Sequence, residues 1–86
     1  MKLNSKVRNE VIKRDKSLCQ LCYEPAQQIH HIMQLSHCGN NKAVNLICLC
    51  NYCHLKVHKN EKHYFNVLFE IQKRRYKNLT KEMMKK

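Results

Sequence analysis

The chain has 86 residues, a length for one domain whose small core needs an added staple. Seventeen Lys and Arg against six Asp and Glu leave a formal charge of +11, which draws polyanions by releasing their counterions. No apolar run approaches the length of a bilayer span and no hydrophobic signal region opens the sequence, so a membrane partner and secretion are not expected.

Asn4 or Ser5 can cap a first helix running to about Lys13, with Val7, Val11 and Ile12 as its apolar stripe and a basic opposite face. Cys19-Gln20-Leu21-Cys22 follows, and Glu24-Pro25 marks a turn. Gln27 to Leu35 reads as a strand holding Ile29, His30 and His31, and Ser36 to Lys42 is a polar loop with the sole glycine, Gly39. Leu46-Ile47-Cys48-Leu49 has the length of a strand and leads into Cys50-Asn51-Tyr52-Cys53-His54, with a short helix carrying His54 to His58. Beyond Asn60, Phe65, Leu68, Phe69, Tyr76, Leu79 and Met83 fall near helical steps, which predicts one C-terminal helix over about 61–86. The order is helix, knuckle, two short strands around a loop, short helix, long helix: a single α+β domain over residues 1–86.

Cys19-x-x-Cys22 and Cys50-x-x-Cys53 are separated by 27 residues. Two residues between thiolates let both sulfurs reach one ion from a tight turn, and two such turns complete a closed tetrahedral Zn²⁺ site. Such a site does no catalysis; it stabilises the fold. A thioredoxin-like redox role would need a βαβ scaffold, which is absent. Cys48, in an apolar run, reads as a buried structural thiol, and Cys38 as an incidental exposed one.

Six histidines include two tight groups. His30 and His31 are neighbours on a strand, so their side chains leave in opposite directions and a division of labour follows. His54 and His58 are four apart and share one helix face. If His30 faces the same point, three imidazoles hold one ion with positions left open, and His31 is free to act as a base near neutral pH. Two plainer assignments compete: His54 as a replacement ligand in the zinc site, and His58 as a solvated helix residue.

Ile29-His30-His31-Ile32, Asn45-Leu46-Ile47 and Leu49-Cys50-Asn51-Tyr52-Cys53-His54 together resemble the HNH endonuclease family. Arg14-Asp15 ahead of Cys19-x-x-Cys22 is similar to the entry into its zinc-bearing members. The likeness spans roughly residues 8–58. It implies a ββα-metal (His-Me finger) fold with flanking helices, and hydrolysis of DNA phosphodiesters as a nick or a double-strand cut. By the same resemblance His31 is the general base, Asn45 holds the loop between the strands, and His54 is a metal ligand. His30 stands where many members have Asp, and the doublet with His54 and His58 is similar to bacterial toxin DNases, which implies three histidine ligands. Hydrolysis would leave 5′-phosphate and 3′-hydroxyl ends.

Mg²⁺ prefers oxygen ligands, whereas imidazole suits Zn, Ni, Co or Mn better, so the identity of the catalytic divalent ion stays open among these. Arg8, Arg14, Lys42, Lys73 and Arg74 are the candidates for DNA backbone contact. Short chains of the family occur in phage genomes and mobile elements, which implies a bacterial host cytoplasm and leaves room for a homodimer or phage packaging partners. Two other functions share the charge and the cysteines: a non-catalytic zinc-stapled nucleic-acid-binding module, and a phage packaging or assembly accessory using its last helix.

Overall fold

A computed structural model describes residues 3–86. Helix α1 spans Ser5–Asp15, and the Asn4 side chain caps it by accepting from the Lys6 amide at 2.8 Å. The helix runs two residues past the expected end because Asp15 is held inside the fold, and it stops where Lys16 and Ser17 turn left-handed (φ 57° and 59°).

Strands β1 (Gln28–His31) and β2 (Leu46–Leu49) pair antiparallel, with Gln28 opposite Leu49 and His31 opposite Leu46. Helix α2 (Asn51–Lys59) follows β2 directly, and α3 (Glu61–Arg75) follows α2. All four β2 residues are buried, which explains their unbroken apolar run. Leu46 and Cys48 pack with Val11 of α1; Ile47 and Leu49 join the core that includes Val57, Leu68, Leu79 and Met84. Burial pushes the Cys48 thiol up to about 11, which keeps it an inert core group.

A buried ionic knot fastens α1 to β2 and α3. Asp15 accepts from the Arg14 and Arg75 guanidinium groups and from the Cys48 amide at 2.9 Å. Arg14 also donates to the carbonyls of Ala43 (2.8 Å) and Leu46 (2.6 Å), and the buried Gln72 amide donates to Val44 (3.0 Å). These carbonyls flank Asn45, so two distant side chains, Arg14 and Gln72, fix the entry into β2.

The first strand is shorter than the expected Gln27–Leu35. After His31 the Asn45 side chain takes over from the ladder: its Oδ1 accepts from the Met33 amide at 2.7 Å and its Nδ2 donates to the Met33 carbonyl at 2.9 Å. At Gly39 any Cβ would collide with the Met33 backbone, so this loop position admits only glycine.

The C-terminal segment is not one helix over 61–86. Helix α3 ends at Arg75, Asn78 turns left-handed (φ 62°), and Lys81–Met84 forms a 3-10 turn. The turn puts Leu79 and Met84 in the core and leaves Met83 exposed. The tail also has partners of its own: Asn40 N–H donates to Met84 O, Lys86 N–H to Cys38 O, and the Asn40 amide side chain to the carbonyls of Met83 and Lys85. Leaving the helix satisfies backbone groups in the 38–40 loop.

Candidate metal centres

Two clusters of ligand-type side chains form at opposite ends of α2's first two turns. Cys19 and Cys22 come from a knuckle after α1, closed by Cys19 N–H donating to Glu24 O and Tyr23 N–H to Cys19 O. Cys50 caps α2, its sulfur accepting from the Cys53 amide at 3.4 Å, and Cys53 sits in the first turn. The four sulfurs all lie within 4.8 Å of one another, and Cys22 and Cys50 are 3.6 Å apart. Tetrahedral Zn–S bonds place sulfurs about 3.8 Å apart, so the four-cysteine cluster fits a structural metal such as zinc.

Burial opposes a thiolate at Cys19, but the backbone N–H groups of Cys50, Cys22 and Leu21 outweigh it and bring the thiol down to about 7. Burial and the adjoining sulfurs push Cys53 up. Four crowded sulfurs without a cation cannot all ionise, and a bound dication removes that conflict.

The second cluster joins β1 to α2. His30 on β1 is buried, His54 half-buried and His58 exposed, and one ring nitrogen of each lies within 4.8 Å of the others. His54 Nε2 and His58 Nε2 are 3.1 Å apart. Two imidazoles sharing an ion at the usual Zn–N length stand roughly 3 Å apart, so this trio also fits one metal ion. His54 therefore belongs to the histidine cluster, while the cysteine cluster is complete without it. Burial first, then its histidine neighbours, lowers His30 to about 3, and the same two causes lower His54. Both rings are neutral near pH 7, the form that binds metal.

His31 takes no part in this trio. Its Nε2 lies 2.7 Å from Asn41 Oδ1, on the loop. An amide oxygen only accepts, so Nε2 is the donor in this contact. His30, His31, His54 and His58 nonetheless line one open cleft of about 320 Å³, with Gln34 and Ser36 on its wall. The strand separates the pair, and the end of the strand returns both to a common space.

Asn45 is fully buried. Besides its Met33 bonds it donates to Asn40 O at 2.9 Å, which ties the returning loop to β1.

Two further residues escaped the sequence reading. Asn41 faces His31, and Glu61 Oε1 lies 3.6 Å from His58 Nδ1. A carboxylate on the far nitrogen fixes which nitrogen of a ligating histidine faces the ion. His58-x-x-Glu61 spacing carried the second signal; nothing local to Asn41 carried the first.

The five candidate DNA contacts are dispersed. Arg14 is committed to the buried knot. Arg8 is exposed beside the α1–β1 cleft, Lys42 is exposed after the loop, and Lys73 pairs with Glu70 at 3.9 Å on α3. Arg74 lines a hollow with Gln20 and Tyr23 next to the cysteine knuckle rather than the histidine cleft. Among the described residues no helix is long and apolar enough to cross a membrane.

No family model matches the chain. Over an alignment 49 positions long that covers 50% of the chain, it is 37% identical to part of a mitochondrial DNA mismatch repair protein mutS homolog of Sarcophyton glaucum. The chain spans only 5% of that relative's length.

Proposed function

We propose that the chain is a metal-dependent DNA endonuclease of the HNH type, with β1, β2 and α2 as a ββα-metal unit. The observation that carries this reading is the division within the histidine cleft. Three imidazoles converge, and a fourth is held apart from them with its Nε2 on Asn41. A divalent ion on His30, His54 and His58 would supply Lewis-acid stabilisation of charge on the phosphate. His31 Nδ1 accepts a proton from water, whose oxygen bonds to phosphorus as the bond to the 3′ oxygen breaks. The departing oxygen takes a proton from solvent, leaving a 5′-phosphate and a 3′-hydroxyl. Asn41 holds the His31 ring, and Asn45 holds the loop that carries Asn41. Three imidazoles suit Zn, Ni, Co or Mn better than Mg²⁺.

The net charge of +11 and the partial likeness to a DNA mismatch repair protein homologue support DNA as the partner. Both would serve a non-catalytic zinc-stapled DNA-binding module equally well. The Asn41-held His31 has no use in such a module, and it favours the enzyme.

The test is conversion of supercoiled plasmid to open circle across a panel of divalent ions. The wild-type chain should nick with at least one ion and His31→Ala should not. Failure with every ion, or equal nicking by the variant, refutes the nuclease.

A further inference from the structure

A second cleft, of about 560 Å³, opens on the other side of His30 between the β1 exit, α2, α3 and the C-terminal turn. Its floor is apolar: Ile32, Met33, Val57 and the Phe65 ring. Its rim is cationic, with Lys62 from α3 and Lys81 and Lys85 from the tail. Glu61 also reaches this rim but turns toward His58, and Glu82 pairs with Lys85 at 3.1 Å. Lys81 Nζ stands 5.6 Å from the Phe65 ring centroid, so a cation stands near the Phe65 ring. His30 and Gln34 line both this cleft and the histidine cleft, so the two spaces adjoin across these side chains.

We infer that this cleft takes an unpaired nucleotide of the DNA strand that is cut, its base on Phe65 and its phosphate among Lys62, Lys81 and Lys85. The inference rests on the nuclease reading for the position of the cut, and on the cleft's own chemistry for the occupant. An apolar floor under a cationic rim matches a nucleotide, which has a flat π-face and an anionic edge. A purely aliphatic ligand would leave the lysines without a counterpart, and an inorganic anion would leave the floor uncovered. A base inside a duplex has both faces stacked on its neighbours, so only an unpaired or flipped-out nucleotide can present one. As the phosphate draws Lys81 to the rim, the Phe65 face is released to the base. The substrate class that follows is DNA with an unpaired nucleotide beside the cut: a single strand, gap, flap or mismatch rather than a perfect duplex.

The test is binding, in the His31→Ala background so that no turnover is needed, by fluorescence anisotropy with a short labelled oligothymidylate and with a perfect duplex of equal length. Phe65→Ala should weaken the oligothymidylate by about tenfold, the loss of one base–aromatic stack, and leave the duplex nearly unchanged. Phe65→Tyr, which keeps the ring, should bind as the parent does. The double charge reversal Lys62→Glu with Lys81→Glu should weaken the single strand more than the duplex. Retained sulfur-bound zinc and unchanged thermal unfolding certify that each variant folds. Equal losses on both probes, or none with Phe65→Ala, overturn the proposal, as does displacement of the oligothymidylate by thymidine monophosphate at equal concentration. Selective loss of the single strand by a protein that never nicks plasmid upholds the cleft and refutes only the nuclease.

Discussion

The cysteine cluster and the histidine cluster share helix α2 and differ in how they close. Three of the four cysteines are buried, all four offer sulfur, and backbone N–H groups already point at Cys19. The histidine cluster has three donors, grades from buried His30 to exposed His58, and opens on a cleft it shares with His31. A four-ligand sulfur site is complete and can only hold the chain together; a three-ligand imidazole site leaves coordination positions for a substrate. The same helix thus serves stability at its start and, on the proposed reading, chemistry one turn later.

The largest effect expected from breaking this contrast is at Cys53. Cys53→Ala should abolish cooperative unfolding and lose the sulfur-bound ion, because metal binding there is folding free energy. His54→Ala should keep the fold and that ion while losing the second one. Circular dichroism melts with metal analysis of both variants check the pair; a folded Cys53→Ala chain would remove the distinction.

Next in size, His31→Ala should lower nicking by about two to four orders of magnitude with ion stoichiometry unchanged, as removal of a general base does. Asn41→Ala should have a smaller effect in the same direction, lowering kcat with KM for DNA nearly unchanged, since His31 loses the group that holds its ring. Unaltered kcat would deny Asn41 its orienting role.

A pH effect of moderate size belongs to His30. Its folded value of about 3 lies below the ordinary 6.5, so as pH falls through that window the unfolded chain takes up a proton that the folded chain refuses. Stability of the chain without the second ion should therefore fall as pH drops below 6.5, and His30→Asn should flatten that slope. Urea unfolding between neutral pH and the point where thiolate–metal bonds fail measures it; parallel slopes for both proteins would contradict the burial-driven shift.

The smallest effect is at the surface. Lys73→Ala breaks an exposed 3.9 Å pair with Glu70 and should change stability by less than about 0.5 kcal/mol. If Lys73 meets a phosphate, the same variant reduces the salt slope of DNA binding by roughly one.

Much of this contrast was legible in the sequence, for physical reasons. Ligand spacing survives without coordinates: two residues between cysteines let both sulfurs reach one ion, whether from the knuckle or from the start of α2, and His54-x-x-x-His58 puts two rings on one helix face. The apolar β2 run and the Asn4 cap are equally local. What the sequence hid depends on distant partners. Arg14 reads as a surface cation until Asp15, Tyr76 and the carbonyls of Ala43 and Leu46 surround it. The stripe from Phe65 to Leu79 keeps near-helical spacing past the end of α3, because Leu79 packs against the same core the helix does; after the left-handed turn at Asn78 the tail buries Met84 rather than Met83. The reach of Asn41 to His31 is set by Asn45 and Gly39 folding the loop, not by anything at position 41 itself.

The most direct test of two unequal centres is graded chelation of the fully metal-loaded chain, with plasmid nicking and far-ultraviolet circular dichroism followed on the same samples. The account predicts two separate stages: nicking disappears first and returns on adding back a divalent ion, while the helix signal stays; the fold is lost only when the sulfur-bound ion is stripped. Loss of nicking and fold in a single step, or nicking that persists until the chain unfolds, would contradict it.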